Sequence, residues 1–143
     1  MLSKSVIVTL FRLSYAFIIL TLILGGYATF THQPYQSFFY QLGRLYGQAA
    51  IIILSLTVLP GILGRLNLAT KLTSLIISFR RQFGVTVFWL AYAHYSLVRQ
   101  FSRLSGDLPF FPLPLFEILG TAALSLLFLM WLTSNNLAVK KLG

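Results

Sequence analysis

Four stretches of this sequence are apolar for close to the length that a bilayer core demands, and that property leaves few folds open. They are Leu13–Phe30 (LSYAFIILTLILGGYATF), Leu45–Leu63 (LYGQAAIIILSLTVLPGIL), Phe83–Phe101, and Ile118–Val139 (ILGTAALSLLFLMWLTSNNLAV). A hydrocarbon core about 30 Å thick takes a helix of about 20 residues. Lipid offers the backbone no hydrogen bonds, so spanning segments are helices or closed barrels. None of the four alternates apolar and polar residues as a barrel strand does. The expected fold is all-α: a polytopic four-helix transmembrane bundle forming one domain over residues 1–143. Pro60 is expected to bend or end the second span.

Composition agrees with lipid as the solvent. Of 143 residues 57% are hydrophobic and 9% are charged, with a mean hydropathy of +0.84. A soluble domain carries about 25% charged residues, so this chain could not cover its surface in water. The net charge of +9 would suggest nucleic acid in a soluble protein. Here the basic residues lie beside apolar spans, where they set orientation, and no nucleic-acid partner is expected. With no cysteine, disulfides, thiolate ligands and iron–sulfur clusters are excluded. The first span is too long, and followed by too many others, for a cleaved signal peptide.

Lys4, Arg12, Arg65, Lys71, Arg80, Arg81, Lys140 and Lys141 fall at one end of the expected bundle. Arg44, Arg99 and Arg103 fall at the other, with the only acids, Asp107 and Glu117. By the positive-inside rule both termini are cytoplasmic. Between spans two and three, Leu68, Leu72, Leu75, Ile76 and Phe79 share a helical face, as in an amphipathic helix lying in the cytoplasmic interface. A cytoplasmic extension of span three fits the same residues. The outer loop Ser102–Glu117, with Pro109, Pro112 and Pro114 among Phe110, Phe111 and Phe116, reads as extended or turned.

Chemistry converges on RRQFGVTVFWLAYAHYSLVR, residues 80–99. An imidazole deep in a membrane helix is costly and by default functional, and imidazole is a common axial ligand of haem iron. His94 follows Arg81 by thirteen residues, about 20 Å of helical rise, which places it in the outer half of the bilayer. Its helical neighbours Val87, Leu90, Ala91, Leu97 and Val98 are aliphatic, and Ala91 leaves room for a flat ligand. Phe88, Trp89 and Tyr92 point mostly the other way. The face suits a porphyrin edge, with Val87, Ala91 and Val98 toward it. A histidine that only hydrogen-bonds a neighbouring helix is the competing reading. His32, beside Pro34, reads as a solvated loop residue. Gly43 and Gly47 form a small-xxx-small pair that signals close helix contact, and Gln48, Ser55 and Thr57 are expected to bond between helices. Two acids, both in or at the edge of one loop, leave no candidates for acid–base catalysis.

These residues resemble the ferric reductase-like transmembrane family. The likeness is nearest to its bacterial branch, the haem-binding membrane subunit of the periplasmic methionine sulfoxide reductase system. GQAAIIILSLTVLPGILGRL is similar to the family's glycine-led helix ending in Leu-Thr-x-x-Pro. RRQFGVTVFWLAYAH is similar to its Arg-Arg-x-Leu-Gly opening, aromatic-rich helix and haem-binding histidine, with Phe83 for the usual leucine. LGTAALSLLFLMWLTSNNLAVKKLG resembles its glycine-led helix ending in Thr-Ser and then Leu-Gly.

The resemblance implies a haem b protein of the bacterial inner membrane, the membrane component of an oxidoreductase. His94 would be an axial ligand of the haem iron. Electrons would pass from a cytoplasmic flavin or quinol to a periplasmic or other outer-side redox partner. The family continues beyond the Leu-Gly pair, here Leu142–Gly143, into a helix bearing the partner histidines. A chain incomplete at its C-terminus, or one that borrows a ligand from a partner subunit, is therefore expected. A haem-free four-helix scaffold or assembly subunit is the alternative.

Overall fold

The computed structural model describes residues 4–32, 36–66, 71–106 and 108–133. Among them every regular element is helical: α1 Lys4–Phe30, α2 Gln36–Arg65, α3 Lys71–Ser78, α4 Arg80–Tyr95, a π-helical turn Ser96–Gln100, α5 Phe101–Leu104 and α6 Leu115–Thr133. Three of these, α1, α2 and α6, are long and apolar enough to cross a membrane. The rest of the chain hardly covers them: 11% of the apolar stretch of α1 is buried, 11% of α2 and 6% of α6. Side chains such as Ile23, Ile51 and Leu126 are each more than 60% exposed. Helices of this length and apolarity imply contact with the lipid bilayer.

The fourth helical run differs. From Arg80 to Leu104 the backbone stays helical through the π turn, but it is less apolar and lies at the centre. The backbone of α4 approaches α1, α2, α3 and α6, whereas that of α6 approaches α4 alone. Because protein surrounds it, α4 can carry polar groups that the outer helices avoid. Tyr15 of α1 donates to the Gln82 carbonyl (3.2 Å), and the Thr86 hydroxyl donates to Tyr15 Oη (3.3 Å). The α1–α2 contact has its own polar link, Thr21 Oγ1 to Tyr46 Oη at 2.9 Å. Around these bonds Ile18, Tyr46, Ala50, Leu90, Ala93 and Leu97 form the core, with Ala93 fully buried.

The elements depart from the sequence expectations at their ends. The first two helices start nine residues before the apolar spans they contain, because a helix can run on past the hydrocarbon; Arg44 thus sits inside α2 and not in a loop. Pro60 is buried within α2 and does not end it. Between spans two and three stands a separate helix, α3, not an extension of the next. The expected tail of span four (134–139), Lys140, Lys141, Leu142–Gly143, Pro34, Asn67–Thr70 and Asp107 lie outside the described residues.

The connection between α5 and α6 is shorter than the expected loop, and an ion pair joins the two helices across it. Arg103 lies in α5 and Glu117 in the first turn of α6, where a carboxylate favours the helix dipole. Their side chains are 10% and 4% exposed and meet through both guanidinium Nη atoms, at 2.6 and 2.8 Å. Arg103 Nε also donates to the Pro109 carbonyl (3.3 Å), and the Arg99 guanidinium lies 5.4 Å from the Phe116 ring centre. Further along, α4 and α6 are joined by rings: Phe88 lies 5.3 Å from Trp131 and 5.9 Å from Phe128, centre to centre, and Trp89 6.1 Å from Trp131. Phe88, Trp89 and Tyr92 thus form the α6-facing side of α4.

Removing one member of a buried pair strands the other, at a typical cost of about 3–5 kcal/mol, while replacing both by apolar residues is often neutral. Arg103→Met is therefore expected to lower stability by roughly that amount. The double change Arg103→Met with Glu117→Leu should recover most of it. Unfolding in mixed micelles, followed by circular dichroism, measures both.

Candidate functional site

His94 stands in the last turn of α4, two residues before the π turn begins at Ser96. Its Nδ1 lies 2.8 Å from the carbonyl oxygen of Gly43 on α2. A carbonyl can only accept, so Nδ1 carries the proton and, in the neutral ring, Nε2 keeps its lone pair. The sequence makes this contact possible by leaving side chains out of α2. A methyl group built on Gly47 would lie 2.8 Å from His94 Nδ1 and 3.0 Å from Cε1, inside any normal contact. The small-xxx-small pair does what its spacing suggests: Gly47 receives the imidazole, and Gly43 receives the start of the π turn.

That turn needs space as well. The Phe101 N–H reaches back to the Ser96 carbonyl, so the helix is locally wider than an α-helix. A methyl on Gly43 would stand 2.9 Å from Leu97 Cβ and 3.0 Å from Val98 Cγ2. One on Gly25 of α1 would collide with Leu97 Cδ2. Glycines on two neighbouring helices thus accommodate the wide turn beside the histidine. Ser96, 1% exposed, donates from Oγ to Gln100 Oε1 at 3.1 Å.

An apolar groove of about 370 Å³ runs along α4 between α2 and α6, lined by His94, Val87 and Ala91 from α4, by Arg44, Gly47, Gln48, Ala50, Ile51 and Leu54 from α2, and by Leu127 from α6. Its size is in the range of small-molecule sites. Of the residues expected beside His94, Val87 and Ala91 share this groove. Val98 packs against Gly43, and Leu90 and Leu97 belong to the core against α1 and α2. Ser55 and Thr57 bond carbonyls of their own helix, at Ile51 and Leu54, and not a neighbour. Gln48 is exposed on the groove wall. His32 follows the end of α1 with a left-handed φ of 50°. No cluster of three or more metal-binding side chains occurs among the described residues.

Arg44 is the groove residue that sequence reasoning missed. It was counted only as a charge at one end of a span, yet it brings a guanidinium to the groove that holds the imidazole. The signal was its position: Arg44 precedes Gly47 by three residues and follows Gly43 by one, on the helix stretch that meets His94.

Residues 46–143 match the family model described as ferric reductase like transmembrane component. Comparison with curated proteins and with solved structures gave no match. The matched region takes in most of α2 and everything after it, including His94 and the helices that form its groove.

Gly47→Val is expected to push the imidazole off Gly43 and to destabilise the fold by about 1–3 kcal/mol, as overpacking does. Gly84→Ala is the control: a methyl there meets nothing within 4 Å, and alanine should stabilise the helix by about 0.5–1 kcal/mol. Micelle unfolding of both variants checks the contrast.

Proposed function

Because this chain belongs to the ferric reductase like transmembrane component family, we propose that it is a transmembrane electron-transfer subunit that holds haem b through His94. The observation that carries the reading is the bond from Nδ1 to the Gly43 carbonyl. Metal-ligating histidines nearly always donate the second ring nitrogen in this way, which fixes the ring and makes the ligating nitrogen more basic. In this reading α4, the π turn and α5 make the third of four spans, both termini are cytoplasmic, and the membrane is the bacterial inner membrane. The nearest branch is the haem-binding subunit of the periplasmic methionine sulfoxide reductase system. The three sequence segments quoted for that resemblance support it.

The residues present fit the group. Gly47 seats the imidazole, Ala91 leaves a gap beside it, Ile51, Val87 and Leu127 supply apolar walls, and Arg44 would meet the porphyrin carboxylates. Haem iron, when bound, supplies one-electron chemistry whose potential depends on its axial ligands and its burial. The work of this chain is to present Nε2, hold its tautomer through Gly43, and keep the groove apolar. A cytoplasmic flavin or quinol would donate, and an outer-side partner would accept. The second axial ligand is assigned to no residue of the groove.

A second reading, a haem-free scaffold or assembly subunit, draws on the same bond. His94 already ties α4 to α2 through Gly43, which is a sufficient structural use for the ring.

Visible spectra of the full chain in nanodiscs, loaded with hemin, separate the two. The haem reading expects a bound spectrum that free imidazole converts to a low-spin form. That spectrum should be lost in His94→Ala and retained in His32→Ala. A normal spectrum in His94→Ala would overturn the ligand assignment, and no binding by a folded wild-type chain would favour the scaffold. The topology has its own test: reporter fusions after Ser105 and after Gly143 should report the outer and the cytoplasmic side, respectively.

A further inference from the structure

We propose that the trough between the Arg65 end of α2, α3 and the start of α4 is a binding site for a phospholipid with an anionic head group. A cavity of about 450 Å³ there is lined by Arg65 and Arg80 together with Val58, Ile62, Ile76 and Ile77. It shares Thr57, Val58, Ile77 and Arg80 with a neighbouring cavity of about 550 Å³ that adds Arg81. The two make one trough with guanidinium groups at its rim and branched aliphatic side chains along its walls. A ligand that fits both parts is an amphiphile, and its head must be negative.

The charge inventory of the chain makes the second point firm. The sequence holds only two side-chain carboxylates, Asp107 and Glu117. Glu117 is buried against Arg103, at the far end of the helical run that Arg80 begins. From Arg80 to Leu104 that run measures about 36 Å at ~1.5 Å per residue. Asp107 follows Leu104 by three residues, which reach at most about 11 Å. The backbones of Arg80 and Asp107 therefore stay about 25 Å or more apart, too far for their side chains to pair. Arg65 and Arg80, which line the first cavity, thus have no side-chain carboxylate of this chain beside them, and the bilayer supplies phosphates at the same depth. Guanidinium groups pair with phosphate through parallel hydrogen bonds, and basic sites between membrane helices are established binders of anionic head groups. A zwitterionic lipid would bring its own cation to a rim that already holds two or more. Gly61 opens on the trough, and a methyl group there would touch nothing within 4 Å. An acyl chain can thus lie directly against the α2 backbone. The second cavity shares Leu54, Val87 and Leu127 with the groove beside His94, but the arginines of the rim line only the trough.

Native mass spectrometry of the full chain, released from nanodiscs of equal parts dioleoylphosphatidylglycerol and dioleoylphosphatidylcholine, tests the proposal. The phosphatidylglycerol should stay bound under activation that strips the phosphatidylcholine. Arg65→Gln with Arg80→Gln should lower its retention about tenfold or more. Gly61→Trp, which fills the trough without changing charge, should do the same. Arg12→Gln, an exposed arginine that lines neither cavity, should leave retention unchanged. Equal retention of the two lipids, an effect of Arg12→Gln as large as that of the paired change, or inorganic phosphate bound in place of lipid would each overturn the assignment. If the paired charge variant does not fold, Gly61→Trp decides alone: full retention in that variant refutes the site.

Discussion

The approach of α2 to α4 at Gly43 and Gly47 is the contact on which the rest of the structure depends. Without side chains at these two positions, the imidazole of His94 lies against the α2 backbone and reaches a carbonyl that would otherwise bond only within its helix. The same absence admits Leu97 and Val98 at the start of the π turn. One pair of glycines thus sets the spacing of two helices, the tautomer of a histidine and the path of the chain beyond it. Polar groups in a membrane interior need partners, and here the partner is backbone, which substitution cannot remove.

The division of labour among the helices follows from where polar groups can be afforded in lipid. α1, α2 and α6 face outward and are apolar almost throughout. α4 and the π turn after it are more enclosed, so they carry Thr86, His94 and Ser96, and α4 accepts a hydroxyl from α1. Its two flanks differ in kind. One, toward α6, is aromatic; the other, toward α1 and α2, is aliphatic and tightly packed. The groove that contains His94 opens between them, where the small side chain of Ala91 leaves a gap.

Much of this was legible in the sequence. The apolar runs marked the outer helices, the paired glycines marked the closest contact, and the rarity of an imidazole in such surroundings singled out His94. What was not legible has identifiable causes. The π turn has no residue signature, and the glycines against which Leu97 and Val98 pack lie on other helices, which the pattern along one helix does not reveal. Ser55 and Thr57 could bond across helices or within their own, and only the actual neighbours decide between these. Arg103 and Glu117 are fourteen residues apart across a proline-containing loop, so periodicity could not pair them. Arg44 read as a terminal charge because apolarity locates the hydrocarbon and not the ends of the helix, and α2 extends nine residues beyond its apolar span.

The attachment of α6 has a mechanical consequence. Among the described residues its backbone approaches α4 alone, and its side chains are fastened by the buried ion pair to α5 at its first turn and by a layer of rings to α4 near its other end. The two fastenings differ in kind, since one is an ion pair with a charge-assisted hydrogen bond from Arg103 Nη2 to Glu117 Oε2 and the other is a set of ring contacts. A helix held in this way behaves as a lever with its pivot at Glu117. Bilayers of different thickness change the tilt of apolar helices, and here the motion would be concentrated at the ring end, where Trp131 and Met130 border the trough beside Arg80 and Arg81. The ion pair thus fastens the first turn of α6, and ring contacts fasten the end that borders the trough.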